Sequence, residues 1–197
     1  MSLNKIIDSY NPDAPLAGAL TIPASWYTDE RLCELEKQTV FSRSWQFAAR
    51  VDQLEEPGDF VTTETAGEPL VIVRGNDKQL RGFFNVCRHH AAAVMTEPAG
   101  RANQMRCPYH GWTYSLEGEL KGTPDFSGVC NFDRADNGLA PVEIATWENW
   151  VFARIGEKQG SPLNNSNPSL TDALGDDLVE QIKVLGFENL HWVEQRR

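Results

Sequence analysis

Asn85–Tyr114, NVCRHHAAAVMTEPAGRANQMRCPYHGWTY, is the stretch on which the reading of the whole chain turns. It holds two mixed pairs, Cys87-x-His89 and Cys107-x-x-His110, with seventeen residues between His89 and Cys107. Three of the four histidines and two of the four cysteines lie inside it. Thiolates and imidazoles are the usual nitrogen and sulfur donors to zinc and iron, so the spacing marks a metal site. Two of each can hold tetrahedral zinc, or a two-iron cluster with cysteines on one iron and histidines on the other. Zinc fingers usually pair like with like, as C-x-x-C and H-x-x-x-H. Here each pair contains one of each kind, so each of two loops can give one ligand to each iron, and that favours the cluster over zinc.

Outward from this stretch, the texture is that of short strands. Gln46 to Arg50, Asp59 to Glu64, Leu70 to Arg74 and Leu80 to Val86 precede or enter it as apolar runs bounded by turn residues. Gln104 to Arg106, Trp112 to Leu116, Leu120 to Gly122, Pro141 to Ala145 and Trp150 to Ile155 continue the pattern. Glu56-Pro57-Gly58 reads as a turn, and Gly75-Asn76-Asp77-Lys78 and Glu117-Gly118 as hairpin loops. Many short strands without intervening helices predict an antiparallel sandwich or barrel. Helices are expected only at the flanks. Thr28, followed by two acids, is read as the N-cap of a helix running to Ser44, and Ser169 as the cap of a helix with Leu170, Leu174, Leu178 and Ile182 on one face. Residues 2–23, with Pro12, Pro15 and Pro23, read as an extended arm, and the run EKQGSPLNNSNP ending at Pro168 as a linker. These divisions give an arm and helix over 1–45, the metal-site domain over 46–156, and a linker, helix and start of a further domain over 157–197.

Composition narrows the function. A formal charge of −10 with no basic run argues against a nucleic-acid surface, which needs clustered phosphate contacts. No apolar run approaches the ~20 residues that span a bilayer, and the N-terminus lacks the basic-then-apolar order of a signal peptide. The expected compartment is the cytoplasm, where four cysteines are metal ligands or free thiols rather than a disulfide framework. Cys33 and Cys130, the latter expected to be a partly buried thiol, have no histidine partner nearby, and Trp147 and Trp150 are read as packing aromatics.

Cys87-Arg88-His89 and Cys107-Pro108-Tyr109-His110-Gly111-Trp112 resemble the Rieske iron-sulfur motif in the form found in the large subunits of Rieske non-haem iron oxygenases. The resemblance implies one [2Fe-2S] cluster, with Cys87 and Cys107 on the inner iron and His89 and His110 on the outer one. Respiratory-chain Rieske proteins carry an extra cysteine in each loop and a serine after the second His-Gly. Tyr109 and Trp112 stand at two of those places here, which implies a cluster toward the low end of the potential range. Oxygenase first loops commonly continue His-Arg-Gly, where this chain has His89-His90-Ala91, a departure that tilts the likeness toward choline monooxygenase.

The family likeness further implies a mononuclear Fe(II), held by two histidines and a carboxylate in a catalytic domain. His191 is the only histidine outside the two loops, so that site is expected in a part of the protein beyond Arg197. The resemblance also implies a ferredoxin or flavin reductase as electron donor, a homotrimer, and hydroxylation or demethylation of a small organic substrate. A stand-alone Rieske ferredoxin, acting only as a carrier, and a zinc-stapled binding module are the competing readings. The helices at 28–44 and 169–182 count against the minimal ferredoxin.

Overall fold

The structure, a computed structural model, describes residues 2–156 and 168–186. Among these residues ten strands form two antiparallel sheets, flanked by short helices, so the mainly β expectation holds. The strands are β1 (Gln46–Arg50), β2 (Asp59–Thr65), β3 (Glu68–Arg74), β4 (Leu80–Phe84), β5 (Ala99–Arg101), β6 (Met105–Arg106), β7 (Thr113–Tyr114), β8 (Leu120–Gly122), β9 (Pro141–Trp147) and β10 (Trp150–Arg154). Seven of them make one sheet in the order β1-β10-β9-β4-β3-β2-β5, and β6-β7-β8 make a second.

The alternation of side chains along a strand explains how one sheet serves two cores. On β3, Leu70 and Ile72 enter a core with Val61, Phe84, Val142 and Val151, while Val71 and Val73 enter another with Phe60 and Phe83. A strand covered on both faces needs a continuous apolar run, and Leu70-Val71-Ile72-Val73 supplies it. The second core is the important one for function. It contains Cys87, Val94, Met105, Cys107, Trp112, Tyr114, Leu116 and Leu120, so the small sheet and both cysteine loops are built onto the same apolar layer.

The expected hairpin at Gly75–Lys78 closes with Gly75 N–H donating to Gln79 O and Lys78 N–H to Gly75 O. The Glu117-Gly118 turn also forms, and there glycine is required twice over: φ is +88°, and a Cβ would run into the Phe83 ring. Two features escaped the sequence pattern. β5 is exposed throughout and has no apolar alternation, so only its pairing with β2 defines it. The β2–β3 turn is Ala66-Gly67, both at positive φ, a turn that lacks the usual asparagine or aspartate signal.

The flanking helices differ from expectation in detail. The arm expected to be extended contains α1 (Leu3–Ile7) and a 3-10 turn at Leu16–Gly18. The single helix expected from Thr28 to Ser44 is α3 (Glu30–Glu36) with a π-helical turn at Lys37–Phe41, preceded by α2 (Ala24–Thr28). Thr28 ends α2, its hydroxyl donating back to Ala24 O; Asp29 is the true cap, its carboxylate accepting the Arg31 amide N–H. Ser169 caps α4 (Leu170–Leu174) with Asp172 completing a capping box, as expected. Gly175, at φ +75°, then breaks the helix before α5 (Asp176–Lys183), and Leu178 is exposed rather than part of a buried stripe. The linker up to Asn167, His191 and the segment from residue 187 onward lie outside the described residues.

Candidate metal centre

The first loop leaves β4 at Asn85. That side chain is buried and fastens the loop from below, its Oδ1 accepting the Val94 and Met95 amides at 3.0 and 2.8 Å and its Nδ2 donating to Met95 O at 2.7 Å. The second loop joins β6 to β7. The two share one backbone design. Cys87 N–H donates to Ala92 O and Ala91 N–H to Cys87 O; Cys107 N–H donates to Trp112 O and Gly111 N–H to Cys107 O. The fifth residue of each, Ala91 at φ +57° and Gly111 at φ +74°, is left-handed. In this register His90 corresponds to His110 and His89 to Tyr109, so the C-x-H and C-x-x-H spacings are not symmetry-equivalent.

The loops bring the four sequence-predicted residues to one place. Cys87 and Cys107 are buried, reduced and adjacent. Burial pushes the Cys107 thiol up; the Tyr109 amide pulls the other way, and the Cys87 thiol adds to the rise. The His89 and His110 ring centroids are 4.8 Å apart. One donor atom each from His89, His90 and His110 fall within 4.8 Å of one another, so His90 joins the group as a third imidazole. Burial, followed by the charges of His90 and His110, pulls the His89 pKa down, which favours the neutral, metal-ligating form.

One atom tests whether a metal group fits. His89 Nδ1 is buried and has no hydrogen-bond partner. A buried polar atom without a partner costs on the order of 1–3 kcal/mol, and a bond to a metal removes that cost. Cys87 and Cys107, buried free thiols on the same two loops, complete an N/S donor set of the kind that holds zinc or an iron-sulfur cluster.

Tyr114 lies beneath the site and was not singled out by the sequence. Its Oη accepts the Arg88 amide N–H at 3.0 Å, which leaves its own proton for Cys87 Sγ, 3.3 Å away. Burial first, and Cys87 second, hold its phenol well above the usual range. Nothing local in the sequence says that its hydroxyl meets a thiol 27 residues away. Above the site, Trp112 stacks on His89 at 4.7 Å and 8°, and Tyr109 on His110 at 3.9 Å and 29°.

Other residues singled out lie elsewhere. Cys33 and Cys130 are both exposed, so Cys130 is not the partly buried thiol expected. Trp147 and Trp150 pack with Phe47 and Phe152 on β9, β10 and β1, as an aromatic patch.

Residues 44–133 match the profile of the Rieske [2Fe-2S] domain. The chain carries a Rieske [2Fe-2S] domain and is similar to the oxygenase subunits of Rieske oxygenases. It is 36% identical over 153 residues to the chloroplastic choline monooxygenase of Arabidopsis thaliana, covering 78% of this chain and 36% of that protein. It is 40% identical over 137 residues to the carnitine monooxygenase oxygenase subunit of Escherichia coli K12, covering 70% of this chain and 37% of the other. Among solved structures, the apo form of the quaternary ammonium Rieske monooxygenase CntA matches with a TM-score of 0.78 at 30% identity, over 91% of this chain and 51% of that one. The chain thus spans a little over a third of the length of the two curated relatives. The Rieske domain, together with the lean toward choline monooxygenase, agrees with the resemblance drawn from the loops. No helix among the described residues is long and apolar enough to cross a membrane.

Proposed function

We propose that Cys87, His89, Cys107 and His110 hold one Rieske [2Fe-2S] cluster and that this chain is the electron-transfer portion of an oxygenase. The reading rests on one observation: a buried, unpartnered His89 Nδ1, a second imidazole 4.8 Å from its ring, and a buried free thiol on each of the same two loops. When bound, such a cluster supplies reversible one-electron transfer. The protein's own residues do the rest. Asn85 and the paired turns shape each loop from within, Tyr114 ties the strand after the second loop to the first, and Trp112 and Tyr109 orient the imidazole rings. Tyr114 donates to Cys87 Sγ and so favours added electron density at the thiolate. Exposed His110 is the edge at which an electron enters or leaves.

The proposed domain layout keeps 46–156 as the Rieske unit, supported by β1 pairing with β10, which joins the two ends of that span. Residues 1–45 flank it, and 157–197 lead toward a catalytic domain that would carry the mononuclear Fe(II). In full, such a protein takes electrons from a ferredoxin or flavin reductase, works as a homotrimer in the cytoplasm, and activates O2 to hydroxylate or demethylate a small organic molecule. Quaternary ammonium compounds are the first class to assay, since the named choline and carnitine relatives share it.

The test is the purified chain itself. A red-brown protein with two irons and two acid-labile sulfides, giving a rhombic EPR signal after dithionite reduction, is the expected result. A colourless protein with one zinc per chain overturns it.

A further inference from the structure

The two candidate histidines are not housed alike, and the difference comes from a segment outside both cysteine loops. Between Gly122 at the end of β8 and Pro141 at the start of β9 the chain makes a long excursion, exposed over much of its length. It is tied to the body by Arg134, which donates to Lys121 O at 3.2 Å and Thr123 Oγ1 at 3.3 Å, and by the Leu139 amide on Gly118 O. Two of its side chains, Phe126 and Phe132, turn inward onto the core that carries the cysteines. They meet each other at 4.8 Å, and both meet Trp112, Phe126 at 5.3 Å and Phe132 at 5.7 Å.

Only one of the two phenylalanines goes on to touch a candidate ligand. Phe126 stands edge-on to His89, with ring centroids 6.1 Å apart and planes at 83°. Trp112 lies flat against the same imidazole, so His89 sits in an aromatic corner with its Nδ1 buried. His110 has no such corner: its stacking partner, Tyr109, is itself 64% exposed. Edge-to-face and stacked contacts of this kind restrict ring rotation and exclude water, because each has a preferred geometry and covers apolar area.

We infer that Phe126 is a positioning residue for the cluster: it fixes the His89 ring and keeps water from that side of the site, making the two histidines inequivalent. This rests on the cluster reading above. A reduced cluster carries one more negative charge than the oxidised one, so a dry wall on one side disfavours reduction and lowers the potential. Phe132 acts on Trp112 and Phe126 and has no ring contact with His89, so it provides the comparison.

The full chain with its cluster, labelled with 15N-histidine, is measured by iron content, potentiometry and pulsed EPR of the reduced state. Phe126→Ala is expected to keep two irons per chain, to raise the midpoint potential, and to change one histidine nitrogen coupling while leaving the other as in the wild type. Phe126→Leu, which keeps apolar bulk, should move both readouts less and in the same direction, and Phe132→Ala less than Phe126→Ala. Unchanged potential and couplings in Phe126→Ala overturn the inference, as does an equal shift in Phe132→Ala, which would mean general loosening. Should Phe126→Ala fail to fold, Phe126→Leu decides: a changed nitrogen coupling supports the assignment and wild-type values overturn it. Absence of iron from the wild type sinks the cluster reading instead.

Discussion

Two places in this molecule gather polar side chains under cover, and they do it in opposite ways. At the β9–β10 end, the Arg154 side chain is 5% exposed and fully engaged. Its Nε and Nη2 donate to the two Glu143 carboxylate oxygens at 2.9 and 2.8 Å, Nη1 donates to Pro168 O at 2.6 Å, and the guanidinium lies 4.3 Å from the Trp45 ring centroid. Trp45 Nε1 donates to the same carbonyl. At the loop end, His89 Nδ1 has no partner at all, and two buried cysteines remain free thiols, one of them met by the Tyr114 hydroxyl. Burial is costly for polar groups in both cases. Where the protein meets that cost with its own atoms, as around Arg154, the cluster of side chains is structural. At the loops an unpartnered imidazole nitrogen gathered with further nitrogen and sulfur donors implies a ligand, which the unpartnered Thr65 Oγ1 and Trp147 Nε1, each without such company, do not.

That contrast can be broken from either side. The largest effect is expected at the loops, where Cys107→Ala removes a thiol no other described group can replace. Bound iron and acid-labile sulfide should fall to nothing, while the far-UV circular dichroism of the strands persists. Retention of two irons per chain would remove Cys107 from the ligand set. The next effect belongs to the other end. Glu143→Ala leaves a buried guanidinium without its carboxylate, which costs about 3 kcal/mol when such a pair is broken. Chemical denaturation should show that loss with unchanged iron content in the folded protein, and a loss under ~1 kcal/mol would mean water reaches Arg154.

The smallest effect sharpens the line between the two places, because Tyr114 belongs to both kinds. Tyr114→Phe keeps the ring in the core and deletes the donor to Cys87 Sγ. One hydrogen bond to a sulfur that gains electron density is worth about 1 kcal/mol, or roughly 40 mV for a one-electron couple. Potentiometry should show a fall of that order with the cluster retained. A potential that stays put would make Tyr114 a packing residue alone.

Much of the fold was legible because strand patterns are local. Gln46–Arg50 and Leu120–Gly122 fall where the apolar runs and turn residues put them, and the cysteine-histidine spacing marked the site without any structure. β5 was not legible, since its identity comes only from pairing with β2, and the Gly175 break was hidden by an apolar stripe that continued across it. Thr28 was misread for a related reason: threonine suits a cap, but the preceding Ala24–Thr28 turn had already claimed it, and Asp29 took the position.

At the site, the sequence by itself determined which residues can donate to a metal, because C-x-H and C-x-x-H put donors of fixed chemistry on short loops. It also carried the family resemblance, since Tyr109 and Trp112 stand where respiratory-chain Rieske proteins have a cysteine and a serine. Only the tertiary structure decided how the donors are treated once assembled. Asn85 fastening loop 1 spans nine and ten residues to Val94 and Met95, and Tyr114 reaching Cys87 and Phe126 walling His89 join residues from different strands or loops. Hydrogen bonds and ring contacts depend on distance in space, which a linear pattern does not carry. The same is true of His90, whose adjacency to His89 could be read from the chain, but whose equivalence to His110 appears only when the two loops are seen to share one backbone.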